Sequence, residues 1–127
     1  MSKEVVKLTD RTEHKTDGFL HREDGPATIW DNGTKEWFSD GARHREDGPA
    51  IEHRDGSTCW YRRGQLHREQ DQPAVELSNG DKHWYSNGSK HRILGPAIIR
   101  KFGDSEWYLN DVKYTRLEFE KIVGGSE

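Results

Sequence analysis

Apolar residues fall at the same two places in each of four consecutive segments, with polar residues between. From His21 the chain reads HREDGPATIWDNGTKEWFSDG, and from His44 HREDGPAIEHRDGSTCWYRRG. From His67 it reads HREQDQPAVELSNGDKHWYSNG, and from His91 HRILGPAIIRKFGDSEWYLN. Pro26, Pro49, Pro73 and Pro96 are spaced 23, 24 and 23 residues apart, the extra residue lying in HREQDQPA. Trp37, Trp60, Trp84 and Trp107 keep the same spacing. Self-similarity at such a period marks a repeat architecture. Asn32-Gly33, Asp55-Gly56 and Asn79-Gly80 separate the two apolar places as hairpin turns, with Phe102-Gly103 a weaker version. Read as two-residue type I′ turns, they place Thr28, Ile51, Val75 and Ile98 opposite the tryptophan nine residues later. Ala27, Ala50, Ala74 and Ala97 then face Phe38, Tyr61, Tyr85 and Tyr108 on the other side. The β-branched–Trp pairs are the expected core stripe. A second turn at Asp40-Gly41, Arg63-Gly64 and Asn87-Gly88 reverses the chain again, so it advances as a meander.

This pattern predicts a mostly β fold, an elongated antiparallel meander or solenoid of four β-hairpin repeats with a short C-terminal capping helix. Two strands per repeat at about 4.8 Å each give a rise of roughly 9.6 Å. One hairpin alone is marginal, so stacking supplies the stability. The expected organisation is a single repeat domain. Residues 1–17 form a degenerate N-terminal cap, with His14 and Lys15 where the aromatics belong. Residues 18–40, 41–63, 64–87 and 88–110 are the repeats, and 111–127 the C-terminal cap. In that cap Thr115 and Glu118 have capping-box spacing, with Tyr114 and Phe119 spaced as a hydrophobic staple. A helix over about Arg116 to Val123 should stop at Gly124-Gly125. Ile93-Leu94 replaces the Glu-Asp of the earlier copies. This apolar pair is expected to meet Leu117, Phe119, Ile122 or Val123, with the helix covering the open end of the sheet.

The period, the Asp-Gly turn, the aromatic pair and the following glycine resemble MORN repeats over residues 18–113. The likeness is strongest to the variant arrays with His-Arg-Glu-Asp-Gly-Pro-Ala and Trp-Tyr found in bacteria, phages and large DNA viruses. Typical MORN units carry Tyr-x-Gly in the second strand and lack the His-Arg and Pro-Ala elements. The resemblance implies a scaffold or binding role, some bacterial relatives looking like antitoxins and some eukaryotic members associating with membranes. It carries over no catalytic residues.

Only 30% of the residues are hydrophobic and 34% are charged, a balance that leans toward disorder. Five Trp, four Tyr and four Phe oppose it, since aromatics bury much area per residue. The net charge of -3 gives no support for nucleic-acid binding through bulk electrostatics, and overall acidity argues against anionic membranes. The start, MSKEVVKLTD, has no apolar signal-peptide core, and no apolar stretch approaches a membrane span of roughly 20 residues. The expectation is a cytoplasmic protein. The single cysteine, Cys59, excludes an intrachain disulfide framework.

His21, His44, His67 and His91 form a ladder that tempts a metal reading. Equivalent atoms roughly 9.6 Å apart cannot share an ion whose bonds to nitrogen are about 2.1 Å. No metal and no cofactor is expected, and the histidines are read as binding loop backbone or stacking on rings. Arg22, Arg45, Arg68 and Arg92 repeat beside Glu23, Glu46 and Glu69. They are either a solvated face of ion pairs or a stripe that grips an acidic partner, a nucleic acid or a nucleotide. Cys59, in the column of Glu36, His83 and Glu106, is expected on the polar face. Sites of unique recognition should break the repeat. The candidate partner-binding residues are therefore Trp30, Ile29, Glu52, His53 and Arg54, together with Arg22, Arg45 and Arg68. Trp30 is the expected anchor, with packing against the N-terminal cap as its alternative.

No Gly-x-Ser-x-Gly, phosphate-binding glycine loop, Cys-x-x-Cys or His-Glu-x-x-His occurs, so no catalytic residue is assigned. The leading expectation is a non-enzymatic protein-binding module of antitoxin or inhibitor type, which blocks another protein by binding it. The alternatives are a protein that sequesters a nucleotide or small ligand through the arginine and aromatic columns, and a peripheral membrane scaffold. The oligomeric state is left open.

Overall fold

The computed structural model describes residues 2–124. Among these residues it is mostly β, with one ten-stranded antiparallel sheet, four separate two-stranded hairpins, one short C-terminal helix and no closed barrel. The sheet runs in the order Lys3–Lys7, Arg11–Thr16, Thr28–Trp30, Lys35–Glu36, Ile51–Glu52, Thr58–Cys59, Val75–Glu76, Lys82–His83 and Ile98–Ile99. Phe19–Leu20 joins it beside Arg11–Thr16. Each copy then adds a separate short hairpin. These are Phe38–Ser39 with Ala42–Arg43, Tyr61–Arg62 with Gln65–Leu66, Tyr85–Ser86 with Ser89–Lys90, and Trp107–Leu109 with Val112–Tyr114.

The register differs by one residue from the expected one. Ile51 lies opposite Cys59, Val75 opposite His83, Thr28 opposite Glu36 and Ile98 opposite Glu106. The cause is the first turn. His53 N–H donates to the Ser57 carbonyl at 2.9 Å, and Gly56 N–H to the His53 carbonyl at 3.0 Å. This is a three-residue loop with only its glycine, φ +94°, in the left-handed region. The preceding aspartate or asparagine stays at negative φ, and its side chain accepts the N–H two residues on, as Asp55 does from Ser57 at 2.8 Å. The type I′ geometry belongs to the second turn, where Asp40 and Gly41 have φ of 49° and 83° and Asn87 and Gly88 have 48° and 88°. In the fourth copy Gly103 keeps a negative φ, and that turn differs from the other three.

A one-residue slip moves every side chain to the other face. The β-branched column therefore shares its face with Glu36, Cys59, His83 and Glu106, and not with tryptophan. Each tryptophan instead stands where the strand changes partner. Trp37 N–H donates to the Ala50 carbonyl of the next copy at 2.7 Å, and the Trp37 carbonyl accepts from His44 N–H at 3.1 Å. Trp60 with Ala74 and Trp84 with Ala97 repeat the first bond at 2.7 Å. The alanine column opposite these tryptophans is fully buried at Ala27, Ala50, Ala74 and Ala97. At that junction any larger side chain would displace a neighbour.

The N-terminal segment is a real hairpin, Lys3 pairing Thr16 through to Lys7 pairing Thr12. His14 takes the tryptophan place, its N–H donating to the Ala27 carbonyl at 2.6 Å. At the other end the helix spans Arg116–Val123. Its capping box is closed, Glu118 N–H donating to Thr115 Oγ1 at 3.1 Å and Thr115 N–H to Glu118 Oε1 at 2.9 Å. Gly124 caps it in right-handed geometry, φ -70°, and Gly125 lies outside the described residues. The helix packs on Trp107–Leu109 and Val112–Tyr114 and buries Phe119. Its main contacts fall on the last short hairpin, whereas the sequence reading had it cover the open end of the sheet. Ile93 and Leu94 share a cleft with Phe119 and Val123, yet remain 55% and 76% exposed.

Candidate functional site

The histidine and arginine columns are used by the fold itself. His44 Nδ1 accepts the N–H of Arg63 at 2.9 Å, the first residue of the next type I′ turn. His21, His67 and His91 do the same for Asp40, Asn87 and Asn110 at 2.9 to 3.0 Å. These turn residues hold left-handed backbone angles despite their side chains, and the histidine at the head of the same copy fixes them. The other ring nitrogen meets Glu46 at 2.7 Å and Glu69 at 3.0 Å. His67 and then Arg62 hold the Glu69 carboxyl below the ordinary carboxylate range.

Each arginine reaches back over its own loop. Arg22, Arg45, Arg68 and Arg92 donate to the carbonyls of Pro26, Pro49, Pro73 and Pro96 at 3.0 to 3.2 Å. The last three also lie flat on a tryptophan of the copy before, Arg45 on Trp37 at 3.8 Å, Arg68 on Trp60 at 4.0 Å and Arg92 on Trp84 at 3.9 Å. Arg22 meets His14 Nε2 at 3.2 Å instead. Burial, and then the Arg22 charge, hold the His14 imidazole below its usual value, so it stays neutral and can accept that bond. Carboxylates complete the set. Arg45 pairs with Glu52 at 3.1 Å, Arg68 with Glu76 at 2.9 Å and Arg22 with Asp24 at 3.0 Å.

Arg92 has no such carboxylate in its own copy, because Leu94 and Ile99 stand where the others carry acids. The inserted residue of the third copy replaces it. Gln70 and Asp71 adopt left-handed angles, φ 63° and 54°, which swing the loop outward. Asp71 then grips Arg92 with both oxygens at 2.9 and 3.1 Å, and its carbonyl accepts the Trp84 indole N–H at 3.1 Å. The irregularity in the repeat thus serves the joint between copies three and four.

The register sorts the remaining candidates. Directly opposed residues share a face, so Ile29, Glu52 and Glu76 lie on the arginine face. Trp30 and His53 lie on the other face with Thr28 and Ile51. The expected patch is therefore divided between two faces. Arg54 is exposed at the turn, with its N–H on Thr34 Oγ1 at 3.2 Å. Trp30 is partly exposed. Arg11 of the N-terminal hairpin lies over its ring at 5.0 Å, and its indole N–H donates to Glu36 at 3.1 Å.

The face that Trp30 shares carries a feature the sequence reading assigned elsewhere. Phe38, Tyr61, Tyr85 and Tyr108 follow Glu36, Cys59, His83 and Glu106 by two residues and alternate onto the same side. All four aromatics are partly exposed. Arg43 lies between Phe38 and Tyr61, at 5.4 and 5.6 Å, and reaches Glu36 at 3.4 Å. Glu36 in turn holds Trp30. Further along, Tyr108 donates to Glu106 at 3.0 Å, and Lys90 lies over the Tyr108 ring at 5.1 Å. Burial raises the phenols of Tyr61 and Tyr85 above their ordinary value. Cys59 belongs to this face, between Ile51 and Val75, where β-branched and aromatic side chains stand among charged ones. Burial pushes its thiol up, against the lesser pull of Arg43, so it is not poised as a nucleophile.

Among the described residues no helix is long and apolar enough to cross a membrane. No family model, curated protein or solved structure matches this chain.

Proposed function

We propose that this chain is a cytoplasmic, MORN-like protein-binding module of inhibitor or antitoxin type. It acts by covering a partner protein with the face that carries Trp30, Phe38, Tyr61, Tyr85 and Tyr108. The observation behind this reading is that row of partly exposed aromatics. Tyrosine and tryptophan offer rigid, amphipathic contact area at low entropic cost and are enriched at interfaces. Arg43, Lys90, Glu36 and Glu106 set both signs of charge around them, which suits a protein surface better than a polyanion. The arginine column, which would have gripped a nucleotide or an acidic partner, is stacked and hydrogen-bonded within the fold. That weakens the ligand-sequestering reading.

The test is affinity capture with the whole chain as bait, beside a Tyr61→Ala/Tyr85→Ala variant. A partner retained by the wild type and lost by the variant, whose melting temperature changes little, supports the module. An identical set of captured proteins from both baits contradicts it. Loss of the partner's own activity in the purified complex would support the inhibitor reading, and full activity would contradict it.

A further inference from the structure

The aromatic row of the tyrosine face has a fixed step. Lys35–Glu36, Thr58–Cys59 and Lys82–His83 are alternate strands of the sheet. Each runs two residues on to its aromatic, Phe38, Tyr61 or Tyr85, and Glu106 leads to Tyr108 in the same way. Successive rings are therefore two strands apart, roughly 9.6 Å. The cross-strand partners of the aromatics fill the intervals. Phe38 is opposite Arg43, Tyr61 opposite Leu66 and Tyr85 opposite Lys90. Arg43 lies between the rings of Phe38 and Tyr61, at 5.4 and 5.6 Å. Lys90 leans the same way, over Tyr108 at 5.1 Å. Rings and spacers alternate along the array, all of them partly exposed.

One peptide conformation shares this step. A polyproline II helix rises about 3.1 Å per residue and turns once every three, so every third side chain recurs on one side at roughly 9.3 Å. An extended β segment repeats at about 6.7 Å and an α-helix at about 5.4 Å, neither of which divides the ring spacing. The chemistry agrees with the spacing. Proline rings dock against aromatic surfaces, and the polyproline II backbone leaves its carbonyls without internal partners. Burial keeps the phenols of Tyr61 and Tyr85 protonated, so their O–H groups are donors for such carbonyls.

The geometry points to a proline-rich segment of a partner protein as the occupant of this face. The segment lies across the strands in polyproline II form, with a proline at every third residue stacking on Phe38, Tyr61, Tyr85 and Tyr108 in turn. It arrives already stiff, so little ordering entropy opposes its docking. This inference rests on the tyrosine face being the binding face, and it names the chemistry of what lands there.

The probe is the peptide PAAPAAPAAPAA, added to the full-length protein and followed by the ring-proton NMR signals of the tyrosines. It should bind one to one, with a Kd of about 1 mM or tighter, and shift Tyr61, Tyr85 and Tyr108 together. A peptide of the same composition with its prolines two apart, PAPAPAPAAAAA, should bind tenfold more weakly. Tyr85→Ala removes an inner ring and should weaken the first peptide tenfold or more, whereas Tyr85→Phe keeps the ring and should cost less than threefold. The two peptides compared on the wild-type protein keep the test intact even if Tyr85→Ala folds poorly. No shift at about 1 mM peptide, equal affinity for both peptides, or shifts centred on the tryptophans would overturn the inference. A partner captured through Tyr61 and Tyr85 but not displaced by the peptide would overturn the proline ligand and leave the binding face standing. Capture indifferent to Tyr61→Ala/Tyr85→Ala would remove both.

Discussion

Replacing Arg68 with alanine separates a scaffold arginine from a partner-gripping one. In the structure its guanidinium lies 4.0 Å over Trp60, donates to the Pro73 carbonyl at 3.0 Å and pairs with Glu76 at 2.9 Å. A hydrogen bond from a charged donor contributes about 1.5–3 kcal/mol, and a partly desolvated cation–π contact about 0.5–2 kcal/mol. Glu76 is 41% exposed on its side chain, so solvent screening leaves that ion pair below about 1 kcal/mol. The three share one group and do not add, which gives a loss of about 2–4 kcal/mol. For a domain of this size, an unfolding entropy of about 2.1 cal/mol/K per residue converts that to a melting-temperature drop of roughly 7–15 °C. Thermal melts followed by tryptophan fluorescence measure it, with Glu76→Gln as control, expected to cost under about 1 kcal/mol. An Arg68→Ala protein melting within about 2 °C of wild type would refute the argument, because a solvated surface arginine costs that little. A Glu76→Gln variant as damaged as Arg68→Ala would place the energy in the ion pair instead.

Three further outcomes are expected. Gly48→Ala should destabilise the protein, because its added Cβ would stand 2.7 Å from the Arg45 guanidinium carbon and push it off Trp37; chemical denaturation measures the loss, and a midpoint equal to wild type would contradict the close approach. Asp71→Ala should loosen the joint between copies three and four, seen as faster hydrogen exchange at the Trp84 indole and Arg92 while the first two copies are unchanged, and uniform protection throughout would refute the cross-link. Acidification should weaken the fold in two stages, because His14, through burial and then Arg22, and His83, through burial and then Arg100, are held below the ordinary histidine value of 6.5, so the unfolded chain takes up protons first and stability is full above about pH 6.5 and declines below it. The lowered carboxyls of Glu69 and Glu106 add a second loss as pH falls below about 4.3; a His14→Gln/His83→Gln variant with an undiminished slope between about pH 6.5 and 5 would contradict the first stage.

The mostly β fold, the hairpins, the capping box and the helix span were all legible in the residues, since each follows from local spacing. The histidine column was also read as binding loop backbone, which the Nδ1 contacts match. The register was not legible, because Asn-Gly and Asp-Gly serve both a two-residue type I′ turn and a three-residue loop ending in a left-handed glycine. What holds the longer loop is the Asn32, Asp55 or Asn79 side chain, which accepts the backbone N–H of Thr34, Ser57 or Asp81 two residues on. That single added loop residue exchanged the faces of the whole sheet. It moved the β-branched column from the tryptophans to the tyrosines, set Cys59 between Ile51 and Val75 and divided the proposed patch of Trp30, Ile29, Glu52 and His53. The compensation of Arg92 by Asp71 was hidden for a different reason: an insertion reads as noise in a repeat until the missing carboxylates of the fourth copy are placed beside it.

Every assignment of a side chain to the arginine face or the tyrosine face follows from the register, so the most direct measurement is a cross-strand NMR experiment on the intact chain. The structure requires amide–amide contacts between Ile51 and Cys59 and between Ile98 and Glu106, with the Trp37 amide protected by the Ala50 carbonyl. Contacts joining Ile51 to Trp60 and Ile98 to Trp107 would restore the two-residue turn, return the tyrosines to the alanine column and remove the proposed binding face.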